Sequence, residues 1–455
     1  MKPLNEFDYE KTRLKRQEIN IRKWIGNNRI GTITAATGYG KTTLGIFAIR
    51  NIIKFTEADN KFLICVPSNY LKQQWESIIK EHEIDQYCDV VVINTLIKNK
   101  YNATLLVLDE IHRYKAPEFK KVYDCVNYKS VIGLTATLDD KDPKYQIINN
   151  NCPIVDQVPV KECLENNWVS NFNIYTIGVD LDKDAGKQYE EKTNKIKKYM
   201  STFDFNFQKM VACLDENKAN SWAKYIHWNP KVVYLHALNG MRAVNSRKDI
   251  ISECQAKINK TKEIIDYLND RKIIVFSKKT DTVDQLSKLY PDSISYHSKL
   301  PTIIRNKDTK QIVGKKDTNT KGIYHFKGNI VSWDEIDGSK YERVSCKRQL
   351  PLIINDYVND KYNILFTAKA VDEGMDIPSA DTSITINAAS SKRQATQRRG
   401  RVIRYQPDKT ALDIHIYVRD TKDEDWVKSR LEGVPNIVDV ENIHQIKLQS
   451  NDRQC

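Results

Sequence analysis

The stretch Ala35-Ala36-Thr37-Gly38-Tyr39-Gly40-Lys41-Thr42-Thr43 constrains this chain more than any other. An apolar run over 30–36 leads into it, and residues 44–55 continue with helical apolar spacing. A strand that enters a Gly-rich turn and then a helix gathers backbone N–H groups and a helix dipole at one point, where phosphates can sit. Gly38 and Gly40 let the backbone approach phosphate oxygens, Lys41 would reach the β- and γ-phosphates, and the Thr42 hydroxyl would ligand Mg²⁺. The usual first glycine of a P-loop is here Ala35. By itself the stretch is a short motif of a kind that also recurs by chance.

Downstream of this turn the chain alternates between strands and helices. Residues 61–66, 89–93, 104–108 and 129–134 read as strands, and each ends in polar residues. That alternation predicts a parallel α/β sheet, with ligands at the carboxyl ends of its strands. The third of these strands delivers Asp109-Glu110-Ile111-His112, and the fourth delivers Thr135-Ala136-Thr137. Two carboxylates after a buried apolar strand need a partner, and the Mg²⁺ of a bound nucleotide supplies one. Asp109 would then hold the metal and Glu110 would deprotonate the attacking water; the bland alternative is an acidic helix start. Upstream, residues 13–26 read as an amphipathic helix carrying Gln17, whose amide suits an adenine edge, although the residues alone favour a solvated surface glutamine.

The pattern changes beyond residue 139, where charged helical stretches replace the alternation. Lys192, Lys195, Lys197 and Lys198 there lie either on a solvated helix face or against a nucleic-acid backbone. Strand–helix alternation resumes at 272–277 and continues to the strand at 411–418. Between them lies a basic helix with Gln397-x-x-Gly400-Arg401-x-x-Arg404, whose arginines share a face and can reach one phosphate together. This half has no P-loop, so Arg401 and Arg404 would act on a nucleotide held by the first half; a backbone-binding basic helix is the other reading.

In order, ATGYGKT, VPSNYLKQQW, DEIH, TAT, IVFS, TAKAVDEGMDIP and QRRGRVIR resemble motifs I, Ia, II, III, IV, V and VI of superfamily 2 helicases. EGMDIP and QxxGRxxR, with YHSKLP upstream of both, most resemble the UvsW, XPB and RecG-like branch, above all phage UvsW-type branch-migration helicases. The resemblance implies two RecA-like parallel-sheet α/β domains. It implies an ATP and Mg²⁺ site of Gln17, Thr37, Gly38, Gly40, Lys41, Thr42, Thr43, Asp109, Glu110 and Asp376, completed by Gln397, Arg401 and Arg404. It also implies coupling through His112, Thr135 and Thr137, and a nucleic-acid track along Ser68, Thr95, His297 and Thr367.

The expected domains are 1–165 (ATP-binding), 166–265 (helical connector) and 266–455, with an insertion at 301–348. The chain starts almost at the Gln motif, so the N-terminal DNA-binding domain of UvsW or XPB is not expected. The insertion reads as β-hairpins around Gly328-Asn329 and Asp337-Gly338, rich in lysine and arginine, with Tyr324, Phe326, Trp333 and Tyr341 interleaved. Lys327 and Trp333 are its candidate DNA contacts at a branch, against the alternative of a decorative meander.

The expected activity is Mg²⁺-dependent ATP hydrolysis coupled to unwinding or branch migration of forked and junction DNA in replication, recombination or repair. The alternatives are an RNA helicase, the motor of a restriction system, or a non-hydrolysing nucleic-acid clamp. A net charge of +13 suits such a polyanionic partner. Nine scattered cysteines without a C-x-x-C pair indicate reduced thiols and neither a disulfide framework nor structural zinc. No apolar run reaches the length of a membrane span or signal core. A monomer in the cytoplasm, of a bacterial host if phage-encoded, is expected; the Lys-, Asn- and Ile-rich composition is in keeping with a phage.

Overall fold

Helix α1 (Glu6–Gly26) and strand β1 (Ile30–Ala35) open the computed structural model, which describes residues 6–55, 60–115, 117–138, 142–252, 254–368, 380–387, 392–402 and 410–447. The chain divides into two compact units. The first comprises the described residues of 1–173, 370–383 and 391–413, and the second those of 174–369, 384–390 and 414–455.

In chain order the first unit continues with α2 (Lys41–Phe55), β2 (Phe62–Val66), α3 (Asn69–Glu81), β3 (Cys88–Val92), α4 (Ile93–Leu96) and β4 (Tyr101–Asp109). Then come α5 (Lys121–Cys125), β5 (Val126–Thr135), α6 (Gln146–Asn151), β6 (Ile154–Val158) and α7 (Val160–Glu165). Their sheet is parallel throughout, in the order β3-β2-β4-β5-β1-β6. Helices cover both faces, so the central strands bury alternate residues on opposite sides. Leu105 and Val107 of β4 join a core with Trp24, Ile49 and Trp75, while Leu106 and Leu108 join another with Tyr114 and Ile148. The carboxyl ends of β1, β4 and β5 consequently meet at one edge. That edge carries the P-loop, Asp109 and Thr135.

Strand β7 (Asn171–Val179), near the start of the expected connector, belongs to a sheet, paired in parallel with a C-terminal strand. The helical part is α8 (Lys183–Met200), α9 (Phe207–Ala212), α10 (Glu216–Tyr225), α11 (Pro230–Ser252) and α12 (Gln255–Tyr267). Residues 207–225 form two helices and not one, because Asp215 accepts the Lys218 N–H and caps a new start. Next in the chain are β8 (Ile273–Ser277), α13 (Thr280–Ser287) and β9 (Ser293–His297).

The insertion is more built than a pair of hairpins. Strands β10 (Ile303–Asn306), β11 (Ile312–Lys316), β12 (Ile323–Phe326), β13 (Asn329–Ser332) and β14 (Tyr341–Val344) form an antiparallel sheet in the order β13-β12-β11-β10-β14. Ile304, Tyr324 and Ile336 centre its own small core, with Phe326, Trp333 and Tyr341 packed against them. Ile303 pairs with Val344, so the insertion leaves the chain and rejoins it at adjacent points.

After α14 (Cys346–Val358) come β15 (Ile364–Ala368), β16 (Thr382–Thr385), α15 (Lys392–Val402), β17 (Thr410–Val418), α16 (Lys422–Leu431) and β18 (Ile437–Val440). A seven-stranded sheet runs β18-β7-β17-β16-β8-β15-β9. Both large sheets are the expected parallel-sheet α/β design. Among the described residues, no helix is long and apolar enough to cross a membrane.

Candidate active site

The turn after β1 is shaped by its glycines. Gly38 and Gly40 take φ of +92° and +101°, in the left-handed region that side chains disfavour. A Cβ on Gly40 would also lie 2.7 Å from Gln17 Nε2. Gln17 is buried and closes over the loop from α1. Its amide donates to the Tyr39 carbonyl at 2.9 Å, while its Oε1 is buried without a hydrogen-bond partner. An acceptor held ready in this way fits the exocyclic amine of adenine. The Thr37 hydroxyl, also buried without a partner, is the second orphaned polar group of the loop. Lys41, Thr42 and Thr43 begin α2, so the helix N-terminus points where the phosphates of a nucleotide would lie.

A polar chain that sequence reasoning missed holds this turn. The Tyr39 hydroxyl donates to Asn20 Oδ1 at 2.8 Å, and Asn20 Nδ2 donates to Asp156 Oδ2 at 2.8 Å. Arg16 and Lys23 each pair with Asp156 at 2.7 Å. Although burial alone would raise the Asp156 carboxyl, the hydrogen bonds from Arg16 and Lys23 hold it below its ordinary value. The signal was available: Arg16, Asn20 and Lys23 recur on one face of α1, beside Gln17.

Asp109 ends β4 in a buried position. Trp75 Nε1 donates to its Oδ2 and the Glu110 N–H to its Oδ1, both at 2.9 Å. Burial and the neighbouring Glu110 push its carboxyl up to about 6, against the Trp75 hydrogen bond and the Lys41 charge. A carboxylate so placed calls for a cation, and with the Thr42 hydroxyl it would hold Mg²⁺. Glu110 has φ +48°, a left-handed conformation that turns the chain sharply after the strand. His112 Nδ1 lies 3.2 Å from Glu110 Oε2 and 2.7 Å from the Thr135 hydroxyl. Thr135 Oγ1 in turn lies 3.2 Å from the Thr137 carbonyl, to which it donates. One buried imidazole therefore lies between the Glu110 carboxylate and the end of β5.

These residues fit a nucleoside triphosphate with Mg²⁺. Gln17 would read the base, Lys41 and the loop N–H groups the phosphates, Thr42 and Asp109 the metal. The bound metal would neutralise charge developing on the transferred phosphoryl group, and Glu110 would take the proton of the attacking water.

Within the first unit α15 also reaches the loop: a Cβ on Gly400 would come 2.2 Å from Thr37 Cγ2, which is why that position is glycine. Arg399 Nε pairs with buried Asp413 at 3.0 Å and so anchors the helix. Nothing is described of the Gln397 and Arg401 side chains, and Asp376 and Arg404 lie outside the described residues.

The nucleic-acid candidates are more dispersed. Ser68 caps α3, accepting from the Leu71 N–H at 3.3 Å, and Thr95 is exposed. His297 and Thr367 are buried, and His297 Nε2 lies 2.9 Å from Asp284 Oδ1. Lys327 donates to the Tyr341 hydroxyl at 2.6 Å. The Trp333 ring, expected to stack on a base, instead packs beside Tyr324 at 5.7 Å and under the Arg343 guanidinium at 4.5 Å.

Two known families match in this same order. Residues 8–104 match the family described as type III restriction enzyme, res subunit, and residues 334–406 match the helicase conserved C-terminal domain. The chain is a superfamily 2 helicase. It is accordingly an ATP-dependent enzyme. The helicase is 24% identical over 437 residues to the DNA 3'-5' translocase XPB2 of Sulfurisphaera tokodaii, covering 90% of this chain and 83% of that one. It is 31% identical over 169 residues to the XPB helicase/translocase subunit of the general transcription and DNA repair factor IIH of Encephalitozoon cuniculi, covering 29% and 24%. Among solved structures it is similar in fold to the DNA-bound type ISP restriction-modification enzyme LlaBIII. The TM-score there is 0.53 at 12% identity, over 97% of this chain and 31% of that one. It is also similar to the Saccharomyces cerevisiae Dbp5 bound to RNA and ADP BeF3, at TM-score 0.50 and 11% identity, over 94% and 89%.

Proposed function

We propose that this helicase is a DNA translocase that works as a monomer in the cytoplasm and remodels forked or junction DNA. The observation that carries the reading is the His112 bridge. Glu110 is the group that would sense the γ-phosphate, and Thr135 is the group through which hydrolysis would move a second element, so the bridge gives ATP turnover a mechanical outlet. DNA as the partner is supported by the names of the XPB relatives and by the +13 charge. In this reading Ser68, Thr95, His297 and Thr367 line the strand's path, the two buried ones by supporting the surface. Lys327 and the exposed cations of the insertion contact phosphates at the branch, while its aromatic rings hold its own core together.

ATPase and strand-separation rates over single strands, duplex, fork, four-way junction and RNA test it. Strongest stimulation by fork or junction DNA is expected, with loss of turnover in Lys41→Ala. Equal stimulation by RNA would overturn the DNA reading. The family match at 8–104 favours a second reading, the motor of a restriction system; translocation along plain duplex without preference for branches would favour it.

A further inference from the structure

The helical segment of the second unit carries an aromatic platform that the ATP site does not use. At the end of α10, Tyr225 stacks on Trp222 with ring centroids 5.0 Å apart and an interplanar angle of 27°. Trp222 is fixed in place. Its Nε1 donates to the Thr202 carbonyl at 3.0 Å, and its ring packs on a core of Phe203, Met210 and Val233. The Lys209 ammonium lies 4.2 Å from the Trp222 ring centroid while also pairing with Asp204 at 2.9 Å. Tyr225 is nevertheless 73% exposed, and Trp228, three residues on, is 47% exposed. Trp228 is held edge-on to His236 at 5.7 Å, and His236 Nδ1 is 2.8 Å from the Thr202 hydroxyl. Two solvent-facing rings are thus positioned from below by the same turn.

The surroundings are cationic. Residues 183–252 hold thirteen Lys and Arg against seven Asp and Glu. Lys218, Lys224 and Lys231 are exposed, and none has an acidic partner within 4.0 Å among the described residues. A protein-docking patch is typically depleted in lysine at its centre, whereas exposed rings among lysines match a strand of unpaired nucleotides, with bases on the rings and phosphates on the cations. We infer that Tyr225 and Trp228 form a stacking platform for bases of a single nucleic-acid strand. The inference rests on the nucleic-acid reading proposed for the helicase, which it deepens by naming a binding surface.

The test uses the full chain and a fluorescent single strand of about a dozen nucleotides carrying 2-aminopurine. Tyr225→Ala should weaken single-strand binding by roughly 5- to 30-fold and abolish the stacking quench of 2-aminopurine. Tyr225→Phe should restore both, and ATP hydrolysis without nucleic acid should be unchanged in either variant. Wild-type affinity and quench in Tyr225→Ala would overturn the platform while leaving the nucleic-acid reading intact. A wild-type chain that binds no nucleic acid would overturn both. Concentration-dependent self-association that Tyr225→Ala abolishes, with single-strand affinity unchanged, would show a surface between copies instead.

Discussion

His112 Nδ1 and the Thr135 hydroxyl are 2.7 Å apart, both buried, at the ends of neighbouring strands β4 and β5. With the Thr135 hydroxyl donating to the Thr137 carbonyl, the His112 ring N–H donates to Thr135, and the Glu110 carboxylate lies 3.2 Å from the same ring nitrogen. In the proposed reading this contact is what ties the acidic loop to the segment after β5.

Removing that tie should separate hydrolysis from work. In His112→Ala, ATP binding and basal turnover should stay within about threefold of wild type, while nucleic-acid-stimulated strand separation falls by roughly tenfold, the scale of one buried hydrogen bond. Parallel ATPase and unwinding assays measure the two. Equal loss in both would mean that His112 serves the chemistry directly.

Gln17 should set the choice of base. In Gln17→Ala the KM for ATP should rise by about tenfold, the loss of one or two hydrogen bonds, and the preference for ATP over GTP should shrink with it. A role confined to bracing the Tyr39 carbonyl would lower the melting temperature without changing the ATP-to-GTP ratio of kcat/KM.

The Asp156 cluster predicts a pH dependence of stability. Its carboxyl is held below the ordinary 3.8 in the folded chain, so the stabilisation is fully present above about pH 4 and is lost as pH falls through the depressed value. Asp156→Asn should destabilise the first unit by about 1–2 kcal/mol at neutral pH, since it weakens three hydrogen bonds at once while half-buried Arg16 keeps Glu162 at 2.6 Å. The gap to wild type should narrow progressively below pH 4 in denaturant titrations, and the KM for ATP should rise through the loosened Asn20–Tyr39 contact.

The insertion should be removable as a whole and not in part. A cut at Lys315 would split β11 and leave β10 unpaired on one side, whereas Ile303 and Val344 are direct partners. Replacing 303–344 with a short Gly-Ser link should therefore leave folding and basal ATPase intact while reducing unwinding of forks severalfold. A well-folded deletion with undiminished fork unwinding would assign the insertion no part in handling the branch.

The chain's local chemistry foretold its elements where one signal dominated. An apolar run before Gly-x-Gly-Lys, or before Asp-Glu, has few other solutions, and β1, α2 and β4 lie where those runs place them. The insertion shows where such reading stops. Strands β10 and β11 are short and half exposed, so they lack the alternation that marks a strand facing a large core. Its aromatics read as ligand-facing because sequence cannot tell a ring that fills a small core from one that meets a base. The Asp156 network was hidden for another reason: its members are about 130 residues apart, and only the parallel pairing of β6 with β1 brings them together.

Trp75 lies between α2 and the carboxyl end of β4. Its ring edge reaches within 2.6 Å of where a side chain on Gly45 would begin, and its Nε1 donates to the carboxylate of Asp109. An indole whose N–H partner gains a metal ion changes its emission, so the enzyme contains an intrinsic optical probe of its own loading state. Stopped-flow fluorescence on the unlabelled protein, with Trp75→Phe as the blank, can time the arrival of Mg²⁺-nucleotide without any attached dye.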